Sequence, residues 1–367
     1  MAVEVFDVAV VGAGASGVPA AVAAAREGAR VALLEKTSSV GGAMCAGLGF
    51  PVCGLFLADT EEPQATNEGL ASEFIQSASA KVERRGRVHL FRCGARKFAE
   101  TYERWIKAES SIRLYADAGD LRVGEAEGRI SRLGFGDIEI EVGAVVDCTG
   151  CAAVVRNSSA LTIVPEEPAL AGFLVRLRDV EFNDMLPIKV PHTLWRAVDT
   201  ERLPLAARYT VFDEGVLKIS VGKGASAEWL ASEILRELKA ELPEFQKVEI
   251  EQTSGVALQR EGIRLKGKTV LSEEDVRTGR GFANSAARGC WPMEFWDAER
   301  GVRYAYVEGG GSYDIPMGAL KSENIANLWA AGRAISADSM ALSSARVIGT
   351  CIATGEAAGR AAAREAA

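Results

Sequence analysis

The feature that most constrains this chain lies in its first thirty-five residues. An apolar run, Phe6-Asp7-Val8-Ala9-Val10-Val11, leads into Gly12-Ala13-Gly14-Ala15-Ser16-Gly17, then an Ala-rich stretch and a second apolar run ending at Leu34-Glu35-Lys36. A strand buried on both faces reads as such a run. Glycines let the backbone turn tightly and approach a pyrophosphate. The helix opening near Gly14 offers it free N–H groups and the positive end of a dipole. Glu35 stands eighteen residues past Gly17, where an acid accepts hydrogen bonds from ribose hydroxyls. Strand, glycines, helix, strand and acid fall in the order of a dinucleotide-binding βαβ unit. The unit alone leaves open which dinucleotide is held, and for what chemistry.

At 367 residues the chain accommodates two domains, or one large domain with an insertion. A net charge of −8 and a pI near 5.2 argue against the basic face that nucleic acid requires. No apolar run reaches the ~18 residues of a membrane span. A strand beginning by Val5 leaves no room for a signal peptide, and seven cysteines without an export signal read as reduced thiols. The expected location is therefore cytoplasmic. His89 and His192 are the only two histidines, so no metal site is expected.

Past Glu35, Ser38–Ala43 is a glycine loop followed by small residues through Gly54, and residues 59–69 are polar and turn-rich. Apolar spacing predicts helices over 71–83 and 95–109. Short strands around Leu114, Leu121–Val123, Ile130–Phe135, Ile138–Val142 and Val145–Val146 predict an antiparallel meander and a return strand to a parallel sheet. That return ends in Asp147-Cys148-Thr149-Gly150. Residues 160–313 read as a separate unit with strands Ala171–Leu177, Tyr209–Phe212 and Val216–Val221 and an amphipathic helix at 226–242. Leu328–Ala331 is a short apolar strand, Gly332-Arg333 its turn, and 345–365 an Ala-rich closing helix. The expected fold class is α/β. A Rossmann-like cofactor domain, parallel sheet plus β-meander, is assigned to 1–55, 88–159 and 314–367. An inserted α+β substrate or cap domain is assigned to 56–87 and 160–313.

Three spaced signatures, Gly12–Glu35 with Gly41-Gly42, Asp147–Gly150 and Gly332–Gly359, together resemble FAD-dependent oxidoreductases of the glutathione-reductase structural superfamily. The segments Tyr313–Pro316, Gly332–Ala337, Ser344–Val347 and Gly355–Gly359 look closest to the bacterial FAD-dependent oxidoreductase family, whose pattern reads IPxxAL, NLxxAGR, ISA, SxRV and GxAAG. Gln259–Arg264 and Leu271–Val276 are similar to its RExRR and LTEEDV segments. The resemblance implies FAD as cofactor and hydride transfer between a small organic substrate and flavin N5, in either direction. Only one dinucleotide fingerprint is present, so the electron acceptor stays open among oxygen, a quinone, a protein and a transient nicotinamide. A flavin monooxygenase or halogenase is the alternative enzyme, although neither a DG nor a Gly-Trp-x-Trp-x-Ile-Pro motif is found. A non-catalytic flavin-binding protein is the alternative from another class.

The resemblance also implies roles for matching positions. Gly12, Gly14, Ala15, Ser16 and Gly17 would hold the pyrophosphate, with Glu35 and Lys36 toward the adenosine. Gly41, Gly42 and Ala43 would line the ribityl chain and flavin edge, and Thr149 and Gly150 the adenine-side half. Gly332 and Arg333 would reach the pyrophosphate and ribitol. Val347 and Ile348 would open the closing helix toward the flavin. The chain departs from the family in lacking a histidine in Asp338–Leu342 and in Trp291–Trp296, and in carrying Ile263 where an arginine is usual.

Three side chains are candidates for catalysis. Arg346, placed in the first turn of the closing helix, could bind a substrate carboxylate, or form an ion pair with Asp338 or Glu294. Arg260, four residues from Arg264, could clamp an acidic substrate with it. His192 is the candidate base by elimination. Cys148 and Cys151 form a CxxC that reads either as a redox dithiol or as packing. Cys45, three residues past Gly42, reads either as the bearer of a covalent flavin or a reactive thiolate, or as a small packing residue.

Overall fold

The computed structural model describes residues 3–367. Its largest sheet grows from the opening βαβ unit, with β1 at Glu4–Val11, α1 at Gly17–Arg26 and β2 at Val31–Leu34. Strand Ile112–Tyr115, β2, β1 and strand Ile138–Asp147 lie side by side and parallel. Leu328–Ala330 adds a further parallel strand along residues 145–147. Every side chain of β2 is buried, as a sheet covered on both faces demands.

The expected meander is present, but its last two strands are one. Ile138–Asp147 is continuous over ten residues. Its start pairs antiparallel with Arg129–Phe135, which pairs with Leu121–Ala126, while residues 140–147 run parallel to β1. Gly143 reads as a turn in sequence, yet it stays in the strand because a side chain there would sit 2.8 Å from the Asp7 carbonyl oxygen.

Two other expectations are corrected. The helix expected over 71–83 stops at Ala78, because Ser79 takes the left-handed conformation (φ 41°), and Lys81–Arg85 forms a hairpin with Val88–Arg92. The closing helix expected over 345–365 is one helix that starts three residues later, Ile348–Ala366, and the extended Val347 separates it from a short helix the sequence did not predict, Ser339–Ala345. Asp338 caps the first, its carboxylate accepting the Ala341 N–H at 2.7 Å.

A second hydrophobic core forms between residues 171 and 253. The antiparallel sheet Val211–Asp213, Val216–Val221, Ala171–Arg178 and Glu249–Thr253 packs Phe173, Val175 and Ile219 against helices Leu186–Asp199 and Ala227–Glu241. Two prolines hide the first of these helices in the sequence. Pro187 falls in its opening turn, where an N–H has no helical partner to lose, but Pro191 lies inside. Leu271, Val276, Met293 and Val307 pack into the core beneath the parallel sheet instead.

Candidate functional site

The carboxyl ends of β1, β2 and the return strand converge on the glycine turn. Gly12 takes φ +95°, and a Cβ on it would lie 2.7 Å from the Cys148 carbonyl oxygen. Only glycine combines that backbone with that approach. Glu35 is buried at the end of β2. Its carboxylate accepts the Ala13 N–H at 2.7 Å, the Thr37 N–H at 3.0 Å and the Thr37 hydroxyl at 2.9 Å. The oxygen that accepts from Ala13 keeps a lone pair for a further donor, while the other is filled by Thr37. Gly14 and Gly42 face each other so closely that a Cβ on Gly42 would lie 3.0 Å from the Gly14 Cα. Gly41 is buried, Ala43 opens a one-turn helix, and the Ala15 carbonyl accepts the Tyr102 hydroxyl at 2.9 Å. Lys36 points to solvent beside these groups.

The loop after the return strand is organised by Asp147, which the sequence reading treats only as part of a motif. Its fully buried carboxylate accepts the Thr149 N–H (3.0 Å) and hydroxyl (2.7 Å) on one oxygen, and the Val154 (2.8 Å) and Val155 (3.1 Å) N–H groups on the other. Burial pushes this carboxyl up from its ordinary range, against those donors. The Thr149 hydroxyl in turn accepts the Ala153 N–H at 2.8 Å. Thr149 and Gly150 are thereby fixed at the mouth of the sheet. The missed signal was an acid two residues before a threonine at a strand end, the pattern that captures free N–H groups of a following turn.

The C-terminal segment closes the other side. A Cβ on Gly332 would lie 2.9 Å from Ser16 Oγ, and the Arg333 guanidinium lies against Gly150. Arg333 has no hydrogen-bond acceptor among the described residues, and burial holds its pKa below the usual guanidinium range. The helix Ile348–Ala366 is docked on α1 through Gly355 and Gly359, where a Cβ would fall 2.1 Å from the Ser16 and 2.0 Å from the Ala20 carbonyl oxygen. Its first turn carries the Thr350 hydroxyl, buried and without a partner among the described residues.

A family model described as FAD dependent oxidoreductase matches residues 7–171 and 187–367. The chain belongs to that family. FAD is its cofactor, and the protein is an FAD-dependent oxidoreductase. Among solved structures it is similar to a geranylgeranyl bacteriochlorophyll reductase-like protein from Thermoplasma acidophilum, at 14% identity and a TM-score of 0.48 over 99% of this chain and 78% of that one. It is similar also to L-proline dehydrogenase from P. horikoshii, at 12% identity and 0.48 over 99% and 93%. Aquifex aeolicus GidA matches at 12% identity and 0.48 over 99% and 64%. No curated protein sequence matches the chain.

The residues fit FAD. The turns at Gly12–Gly14 and Gly41–Gly42 bring bare backbone together at the sheet's carboxyl edge, and Arg333, with no acceptor among the described residues, stands beside Gly150. Of the positions expected from sequence, Gly12–Gly17, Glu35, Gly41–Ala43, Thr149, Gly150, Gly332 and Arg333 gather at this edge, Val347 and Ile348 open the last helix, and Lys36 points to solvent. Arg346 does not sit where the sequence placed it. It follows the last turn of Ser339–Ala345, two residues ahead of the closing helix. Neither suggested ion pair forms among the described residues. Asp338 is a helix cap, and the Arg346 Nη2 donates to the Glu294 backbone carbonyl at 3.2 Å.

The second arginine pairing is corrected too. Arg264 is 1% exposed and bound to Glu261 at 3.1 Å, so it does not join Arg260. Arg260 lies instead near Arg346, stacked on the Trp296 ring at 4.1 Å and donating to the Leu170 carbonyl. Burial and the neighbouring Arg346 lower Arg260 to about 9, still protonated at neutral pH. Burial lowers Arg346 as well, with Glu294 opposing and Arg333 adding to the effect.

His192 is exposed on the helix Leu186–Asp199, which packs on Ala227–Glu241 and Val211–Asp213 in the second core. The structure does not bring it to the cradle. Cys148 is buried and Cys151 exposed, both as free thiols, and burial pushes the Cys148 thiol up. The CxxC is therefore a packing residue and a surface residue. Burial also raises the Cys45 thiol, which touches Gly41 and makes only a weak 3.7 Å contact to the Ala95 carbonyl.

Proposed function

We propose that this oxidoreductase passes a hydride between a small organic anion and the flavin, with Arg346 and Arg260 holding the anion. The observation that carries the reading is a pair of neighbouring, partly buried guanidiniums with, among the described residues, no carboxylate in ion-pair reach of either. Like charges drawn together out of water repel, and a bound carboxylate placed between them relieves that cost. Bound FAD supplies a two-electron carrier whose reduced form is stabilised by nearby positive charge. The start of the closing helix at Ile348, two residues past Arg346, supports that tuning through its dipole. The unit around residues 171–253 is read as the core of the cap over the substrate. Its exposed position on a helix of the second core removes His192 from the proposal, so proton removal falls to a group of the substrate or to solvent.

Anaerobic mixing of the yellow holoenzyme with carboxylic acids and their matching amides tests this. Bleaching by an acid but not by its amide supports the reading, and equal bleaching by both rejects it.

A further inference from the structure

Glu294 is linked to both arginines, to Arg346 through its main-chain carbonyl and to Arg260 through the Trp296 ring its carboxylate bonds, and it holds them without pairing with them. It lies in the strand Met293–Asp297, which pairs with Gly301–Ala305 so that Tyr304 stands opposite it. Its carboxylate accepts the Trp291 indole N–H at 3.2 Å on one oxygen and the Trp296 indole N–H at 2.8 Å on the other. Glu294 and Trp296 are two residues apart and so share a face of the strand. Trp296 is the platform under Arg260. Leu170 ties the same ring in place, its N–H donating to the Trp296 carbonyl at 2.9 Å while its own carbonyl accepts from Arg260. Arg346 is held by the Glu294 main-chain carbonyl. A ring face and two neutral carbonyls orient both cations and leave their charge free.

We propose that Glu294 is a positioning residue: its carboxylate, clamped by two indoles, sets the Trp296 ring under Arg260, while its main-chain carbonyl holds Arg346, so that both guanidiniums face one anion. This rests on the anion reading above, and the two can fail separately. A carboxylate that merely adds negative charge to the site would repel an incoming anion, so its removal would tighten binding. A positioning carboxylate gives the opposite sign. Glutamine in its place offers one acceptor oxygen and turns an amide N–H2 toward the second indole N–H, which releases one of the two rings.

The test titrates malonate into FAD-loaded wild-type, Glu294→Gln, Trp296→Phe and Arg346→Met proteins, following the visible flavin spectrum. Trp296→Phe keeps an aromatic face under Arg260, though a smaller one, and deletes the indole N–H. Glu294→Gln and Trp296→Phe are each expected to weaken malonate roughly tenfold, about the worth of one hydrogen bond to a charged group. FAD content should be unchanged. Unchanged or tighter binding in Glu294→Gln overturns the positioning role while leaving the anion site standing. If Glu294→Gln loses FAD, Trp296→Phe decides alone, and wild-type affinity in it overturns the proposal. Wild-type protein that does not bind malonate, or Arg346→Met protein that binds it equally well, overturns the anion site and the proposal with it.

Discussion

Replacing Asp147 with asparagine probes how the cofactor cradle is held. The carboxylate is 0% exposed and accepts four hydrogen bonds, two from Thr149 and two from the N–H groups of Val154 and Val155. Asparagine keeps one oxygen for two of these donors and turns an N–H2 toward the other two. Hydrogen bonds to a charged acceptor contribute about 1.5–3 kcal/mol each. Losing two of them is partly offset because a neutral amide is easier to bury than the carboxylate, whose pKa burial already pushes up. The net loss is expected near 2–3 kcal/mol. Alanine orphans all four donors and should cost about 4 kcal/mol or more. Urea denaturation of both variants measures the stability, and FAD rebinding to stripped protein measures the cradle. FAD affinity should fall at least about tenfold for each 1.4 kcal/mol that reaches the Thr149–Gly150 loop. Asparagine with wild-type stability and FAD affinity, or alanine no worse than asparagine, would refute the assignment of Asp147 as the organiser.

Other expected outcomes follow from single contacts. Cys148→Ala should leave FAD content and turnover largely intact, because the thiol is buried and raised away from reactivity; loss of turnover would revive a thiol mechanism. Arg264→Met should destabilise by about 3–5 kcal/mol by stranding buried Glu261. The double variant Arg264→Met with Glu261→Gln should recover much of that in the same denaturation assay. Glu244 is held down to about 2 by its hydrogen bond from Lys189 at 2.6 Å, aided by Asn183 at 2.8 Å. A depressed carboxyl contributes stability above its unfolded value near ~4.3 that is lost as pH falls toward 2. The melting temperature should therefore drop less between pH 5 and pH 2 in Glu244→Gln than in wild type, and equal drops would contradict the linkage.

The cofactor side of this protein was legible because its signals are local. Glycines at fixed offsets, continuous apolar strands and an acid after β2 each specify a backbone shape without help from distant residues, and the parallel sheet follows. Gly143 shows the limit, since a glycine that reads as a turn was serving a close strand approach to Asp7. Val347 shows another. The Ala-rich closing helix was legible, but the short helix Ser339–Ala345 ahead of it, opened by the Asp338 cap and ended before the extended Val347, was not. The arginine pairing was not legible at all. Spacing placed Arg260 with Arg264, whereas tertiary packing sends one to Glu261 and the other to Trp296 and Arg346. Charge partners across more than eighty residues leave no periodic trace.

The central claim is that Arg260 and Arg346 grip a substrate anion beside the flavin. A crystal structure of the FAD-loaded enzyme with the acid that bleaches it measures this directly. The carboxylate oxygens should lie about 2.7–2.9 Å from both guanidiniums, with Glu294 still on its two indoles. An acid bound elsewhere, or guanidiniums turned onto the Glu294 carboxylate, would contradict it.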